Sequence, residues 1–169
     1  MALDELDRKT IVWSALFVAS QANLLRMLGS TGPNVLAVQT AWSEARYREI
    51  LASMDNAETA RFRSHYFADF VHPVLYASAL RAGARSLAAK TEQSPGAAVV
   101  LAVAPVVSAA CDYIENIVGL TLVDHPERIS DTKVRATTLV STVKWATAIG
   151  SLAYLGQGFV RVWANSLLT

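Results

Sequence analysis

Asp112, Glu115 and Asn116 stand three and four residues apart inside an apolar run, a spacing that gathers all three near one face of a helix. Two carboxylates that close in a low dielectric repel unless one keeps its proton or both have partners. Lys144, in the next apolar run, is the obvious donor. Upstream, His65, Asp69, His72 and Tyr76 follow at i, i+4, i+7 and i+11, one stripe along a continuous helix. Imidazole and carboxylate in such a row can ligate a metal or pass protons. Ordinary packing makes the same row, with His65 in interfacial water and Asp69 accepting a hydrogen bond from a neighbouring helix. Asn23 and Arg26 extend the polar set, Arg26 being placed to serve Asp69 or Glu115. Among the polar residues singled out inside the apolar runs, the acids Asp69, Asp112 and Glu115 outnumber the bases Arg26 and Lys144. One carboxyl is therefore expected to hold a proton or lean on His72. Such a group could act as a general acid on a lipid-soluble substrate or belong to a proton relay. The competing reading is a buried ion-pair network of Asn23, Arg26, Asp69, Asp112, Glu115, Asn116 and Lys144 that fixes helix register.

Four apolar stretches must position these residues: 10–28, 66–87, 95–123 and 135–160. If the chain crosses a membrane up and down, the polar intruders of all four fall in one half of the bilayer. The fold class expected is all-α, a four-helix transmembrane bundle with one added amphipathic helix over 41–54. There Tyr47, Ile50, Leu51 and Met54 fall at i, i+3, i+4 and i+7, so the helix should lie along the interface. Gly29, Gly32 and Pro33 should end the first run. Asp55 with Glu58 reads as a capping box, and Ser94-Pro95 as a cap followed by proline at the first helical position. Asp124-His125-Pro126 closes the third helix; Ser130 or Asp131 caps a fourth that ends near Trp163. Pro73 and Pro105 lie inside spans and predict kinks.

Composition agrees. Hydrophobic residues make up 53% and charged residues 17% of 169 residues, with mean hydropathy +0.30, whereas soluble domains carry about 25% charge. Gln93 to Cys111 contains no charged side chain over 19 residues, close to the roughly 20 apolar residues that a span needs. The first run has 16 uncharged residues, Thr10 to Leu25, and charges interrupt the second and fourth. A core-rich soluble four-helix bundle is the alternative. A net charge of +1 leaves no basic stripe for nucleic acid. The single Cys111 has no internal partner and reads as a packed small hydrophobe. The alternately charged start, Met1 to Lys9, and the long apolar run after it read as a retained first span rather than a signal or transit peptide. Lys and Arg divide six to seven between the two sides, which assigns no orientation and leaves a bacterial plasma membrane and an organelle inner membrane undistinguished. Trp13 and Trp163 mark one interface and Trp42, Tyr47 and Tyr66 the other. Trp145, beside Lys144, packs near the pocket. Ala104/Ser108 and Ala146/Gly150 give the small-xxx-small spacing of closely approaching helices.

Asp112-Tyr113-Ile114-Glu115-Asn116, followed about thirty residues later by Lys144-Trp145 and preceded by Asp69 with Pro73 and Tyr76, resembles a pattern in small uncharacterised four-span membrane proteins of bacteria and some eukaryotes. The likeness covers the last two-thirds of the chain. It implies the architecture and the importance of Asp112, Glu115 and Lys144, and implies no reaction. No phosphate loop, zinc-type His-Glu-x-x-His, nucleophile elbow or Cys pair is present, and neither a cofactor nor a metal is expected. Two function classes follow. One is a non-catalytic accessory or structural subunit of a larger membrane complex, touching membrane lipids and partner subunits or further copies of itself. The other is a stand-alone membrane enzyme or transporter built on Asp69, His72, Asp112, Glu115 and Lys144.

Overall fold

The computed structural model describes residues 3–168, and among them the chain is helical with no strand. Helix α1 (Glu5–Leu28) opens on a capping box, in which Asp7 N donates to Asp4 Oδ1 at 2.8 Å and Asp4 N donates to Asp7 Oδ2 at 3.3 Å. It stops at Gly29, whose φ of 52° is open to glycine at little cost. A single 3-10 turn then leads into α2 (Gly32–Gln39) and α3 (Glu44–Ala52). Here the sequence expectation needs correcting, because Gly32 and Pro33 start a helix as well as following the end of one. Proline in the first turn lacks only an N–H that would have no intrahelical partner anyway.

The amphipathic helix is present as α3, capped by Ser43, but its apolar face is not turned to a lipid interface. Tyr47, Ile50 and Met54 are buried with Val38, Phe62, Leu122 and Val134 in the chain's larger apolar core. Asp131 Oδ1 accepts from Glu44 N at 2.7 Å, which ties the start of α3 to the start of the last helix.

The second long rod is two helices, α4 (Asn56–Asp69) and α5 (His72–Ala88). Asp55 and Glu58 form the expected capping box. Pro73 ends the rod's continuity instead of bending it: a proline has no N–H for the carbonyl four residues back, and its ring crowds that turn, so the chain restarts at His72. Pro105 has the opposite outcome. Helix α6 (Pro95–Asp124) runs through it unbroken, with the ring fully buried. Helix α7 (Asp131–Leu168) continues past Trp163, where the sequence suggested an end.

Helix α1 packs along α5, α5 along α6, and α6 along α7. The buried seam of α6 runs Leu101, Pro105, Ser108, Asp112, Glu115, Gly119 and Leu122, alternating steps of four and three as a helix–helix contact demands. The seam of α7 matches it with Val134, Thr138, Ser141, Lys144, Ser151 and Leu155. Both seams are polar in the middle and apolar at the ends. Outward, α6 shows Val99, Val100, Val103, Ile114 and Ile117, and α7 shows Leu139, Ile149, Leu152 and Val160. The arrangement inverts that of a water-soluble bundle, in which large apolar side chains go inside.

Two stretches are long and apolar enough to cross a membrane, Glu5–Gln39 and Pro95–Asp124. The most apolar 18-residue window of α6 has mean hydropathy 2.0 yet is only 22% buried, which is not how the core helix of a soluble domain behaves. The four expected spans are thus reduced to two by this measure. Arg81 and Arg85 on α5, and Lys144 among the threonines and serines of α7, lower the apolarity of the other two rods.

A polar clasp holds the far end. Lys90 Nζ donates to Asp7 Oδ1 at 2.7 Å, Asp4 Oδ2 at 3.0 Å and Ser86 Oγ at 3.2 Å, joining the tail of α5 to the start of α1. The hydrogen bond to Asp7 raises the ammonium above its ordinary 10.5, while the Asp7 backbone N–H and then Lys90 lower the Asp4 carboxyl below 3.8. The ammonium's contribution is complete below 10.5 and is lost as pH rises through the elevated folded value; the carboxylate's is complete above 3.8 and is lost as pH falls through the depressed one. Hydrogen exchange in the first turns of α1, corrected for intrinsic rates, should therefore be protected across the neutral range and speed up at both extremes. Lys90→Ala should remove that protection at neutral pH; unchanged exchange in this variant would show that the clasp holds nothing.

Candidate functional site: a buried charged layer

Lys144 lies between two acids. Its Nζ is 2.8 Å from Glu115 Oε2 and 3.3 Å from Asp112 Oδ1, and all three side chains are less than 10% exposed. The Glu115 contact is at ion-pair distance without the alignment of a hydrogen bond. The ammonium also sits 5.0 Å from the centre of the Trp145 ring, whose electron-rich face attracts the positive charge. Above this pair, Tyr76 donates to Ser108 Oγ at 3.0 Å, and Ser108 donates to the Lys144 carbonyl at 3.0 Å. Below it, Asn116 Nδ2 donates to the Asp69 carbonyl at 3.2 Å, and Tyr113 donates to the Phe70 carbonyl at 2.9 Å. These last two bonds satisfy carbonyls freed where Pro73 interrupts the rod, so the break and the charged layer are parts of one arrangement.

Of the polar residues singled out in the sequence, Asp112, Glu115, Asn116 and Lys144 meet, with the Asp69 carboxyl close by. Asn23 and Arg26 do not join them. Both are exposed on α1, where Arg26 Nη2 donates to Asn23 Oδ1 at 3.2 Å. The expected His65–Tyr76 stripe is also divided, since α4 ends at Asp69 and α5 begins at His72. His72 turns to α1, its Nδ1 3.0 Å from Ser20 Oγ and its ring 5.4 Å from that of Phe17. His65 is buried rather than in interfacial water, and its Nδ1–H donates to the Phe62 carbonyl. Burial pushes its imidazole down to about 4, which keeps it neutral. No group of three or more His, Cys, Asp or Glu among the described residues is arranged to hold a metal ion.

Sequence reasoning missed the aromatic side of the layer. Tyr47 and Tyr66 read as interfacial markers, yet both are buried and line a small cavity with Asp69, Glu115, Asn116 and Thr137. Burial pushes the Tyr47 phenol up to about 12, against the opposing effect of its hydrogen bond with Tyr66. The signal that could have revealed this was Gly119, one turn beyond Glu115, where the tyrosine ring needs a missing side chain. The cavity has about 20 Å³ of room for the centre of a water molecule, enough for about one water. Apolar clusters close the layer at both ends: the larger core around Phe62 and Leu122, and a smaller one of Leu87, Leu101 and Leu155.

Fold and site together define a helical protein with a buried charged layer and two helices able to cross a membrane. No family, curated protein or solved structure matches this chain.

Proposed function

We propose that this chain is a multi-pass integral membrane protein that serves as a non-catalytic structural subunit of a larger membrane assembly, its charged layer fixing the register of its own helices. The observation that carries this reading is the closure of the layer. Lys144 is engaged by Asp112 and Glu115, and the adjoining cavity has room for about one water, too little for a lipid-soluble substrate to reach the carboxyls. Ion pairs of this kind specify an arrangement more than they stabilise it. Membrane insertion is supported by the inverted distribution of side chains, with charged and hydroxyl groups inside and valine, leucine and isoleucine outside.

The assembly role is supported by the free side of α7. Ala146 and Gly150 are exposed there, and a side chain added at Gly150 would meet no atom within 4 Å. Beside them runs an open groove of about 480 Å³, walled by Thr138, Thr142, Trp145 and Ile149. Trp145 Nε1 donates to Gln39 Oε1 at 3.1 Å, holding one wall in place. Small residues facing lipid at helical spacing let a neighbouring backbone come close.

Native mass measurement of the full chain in a mild detergent tests the reading. A complex of constant stoichiometry is expected, and Gly150→Leu should release the chain from it without changing the chain's own melting. A stable monomer that turns over a lipid-soluble compound would replace this proposal with the enzyme reading.

A further inference from the structure

The charged layer contains an imbalance that its ion pairs do not remove. Lys144 is shared by Asp112 and Glu115, and no ion pair to Asp69 forms among the described residues. The nearest polar side chain on α6, Asn116, is a neutral amide whose Nδ2 donates to the Asp69 backbone carbonyl at 3.2 Å, so it brings no positive charge to the Asp69 carboxyl. Asp69 and Glu115 line the same water-sized cavity, and Glu115 Oε2 is buried without an aligned hydrogen bond.

The groups facing the cavity from every packed element bring no second cation. Helix α2 contributes Gln39, α3 contributes Tyr47, α4 contributes His65 and Tyr66 besides Asp69, and α7 contributes Thr137. His65 has its Nδ1–H committed to the Phe62 carbonyl. On the neighbouring side, α5 places His72 and Tyr76 toward α1 and Ser108, outside the cavity lining. Three carboxyls thus meet one ammonium, in a layer closed by apolar clusters at either end. Carboxylates so placed cannot all stay ionised.

We propose that the cavity between α4 and α6 is a proton site, in which one hydrogen ion is shared by the Asp69 and Glu115 carboxyls through a single internal water. The proton comes from solvent. The acid O–H of one carboxyl donates to the water, the water donates to the other carboxylate, and no bond to carbon changes. Tyr47 and Tyr66 supply the remaining hydrogen-bonding capacity, giving the water the two to four polar partners that a buried water keeps. The inference goes beyond the structural role and is independent of assembly, because a monomer would hold the proton equally well.

Infrared difference spectroscopy on the purified full chain, in H2O and D2O at neutral pH, tests it. The wild type should show the C=O stretch of a protonated carboxyl, shifted on deuteration. Asp69→Asn and Glu115→Gln should each abolish it, while Asp124→Asn, at an exposed site paired with Arg63, should leave it unchanged. Asp69→Glu keeps the acid and should move the band without removing it, which preserves the test if the amide variant does not fold. Absence of the band in the wild type, as when His72 carries the charge instead, overturns the proposal. A band indifferent to both Asp69 and Glu115 does the same.

Discussion

Lys144→Met should cost the folded chain about 3–5 kcal/mol, the scale observed when one partner of a buried ion pair is removed and the other charge stays behind. Lysine and methionine are similar in length, so packing along the α6–α7 seam is largely kept and the loss is electrostatic. Asp112 and Glu115 would remain buried with no ammonium within reach, inside a layer sealed by Leu122 at one end and Leu101 at the other. Thermal melting in detergent and the yield of folded protein should both fall sharply. The same argument predicts a rescue. When Asp112→Asn and Glu115→Gln accompany Lys144→Met, the ion-paired charges are all removed, only the Asp69 carboxyl is left in the layer, and most of the stability should return, because exchanging a buried ion network for neutral groups is often tolerated. If the single variant melts with the wild type, the layer is not the lock on register that it is taken to be. If the triple variant melts no higher than the single one, the charges are not the cause.

Gly119→Ala should be the most damaging of the glycine substitutions, at about 1–3 kcal/mol for forcing one methyl into a packed site. An added Cβ would collide with the Tyr66 hydroxyl oxygen and lie 2.6 Å from Cζ and 2.7 Å from Cε1 of the same ring. That ring cannot easily withdraw, since Phe62 meets it edge-on at 5.7 Å and His65 lies against it at 4.1 Å. Two further glycines calibrate the effect. At Gly158 the new methyl meets the Leu87 side chain, whose end can rotate, so a smaller loss is expected. At Gly150 it meets nothing, and alanine should be neutral or slightly stabilising through helix propensity. Melting temperatures of the three alanine variants should therefore rank Gly150, Gly158, Gly119 from highest to lowest. Reducing the ring in Tyr66→Leu should recover part of the Gly119→Ala loss; failure to do so would place the damage elsewhere.

Much of the helical layout is legible in the residues themselves. Asp55 with Glu58, and Ser94 with Pro95, mark starts that the structure keeps, because a cap is a local bond between a side chain and an N–H three residues on. The apolar face of α3 was also readable from its period. What covers that face was not, since periodicity says that a face is apolar without saying whether lipid or protein meets it. Prolines were ambiguous for a related reason. Pro105 is carried inside an unbroken helix, whereas Pro73 begins a new one, where Asn116 and Tyr113 on another helix are placed to donate to the carbonyls set free.

The charged layer divides in the same way. Asp112, Glu115 and Lys144 could be paired from the sequence, because the first two share a helix face by spacing alone and an apolar interior offers them few other cations. Whether Arg26 belonged with them could not, for its helix can rotate as a rigid body without altering any local preference. Packing of α1 against α5 turned Ser20 inward and left Arg26 outside. The water-sized cavity between Asp69 and Glu115 likewise exists only when five helices meet, with Gly119 making room for Tyr66. Local chemistry along the chain thus determined where helices start and which ionisable groups lie in apolar surroundings. Only the tertiary contacts decided which of those groups face one another, because that depends on the rotation of each helix about its axis, which no short stretch of residues encodes.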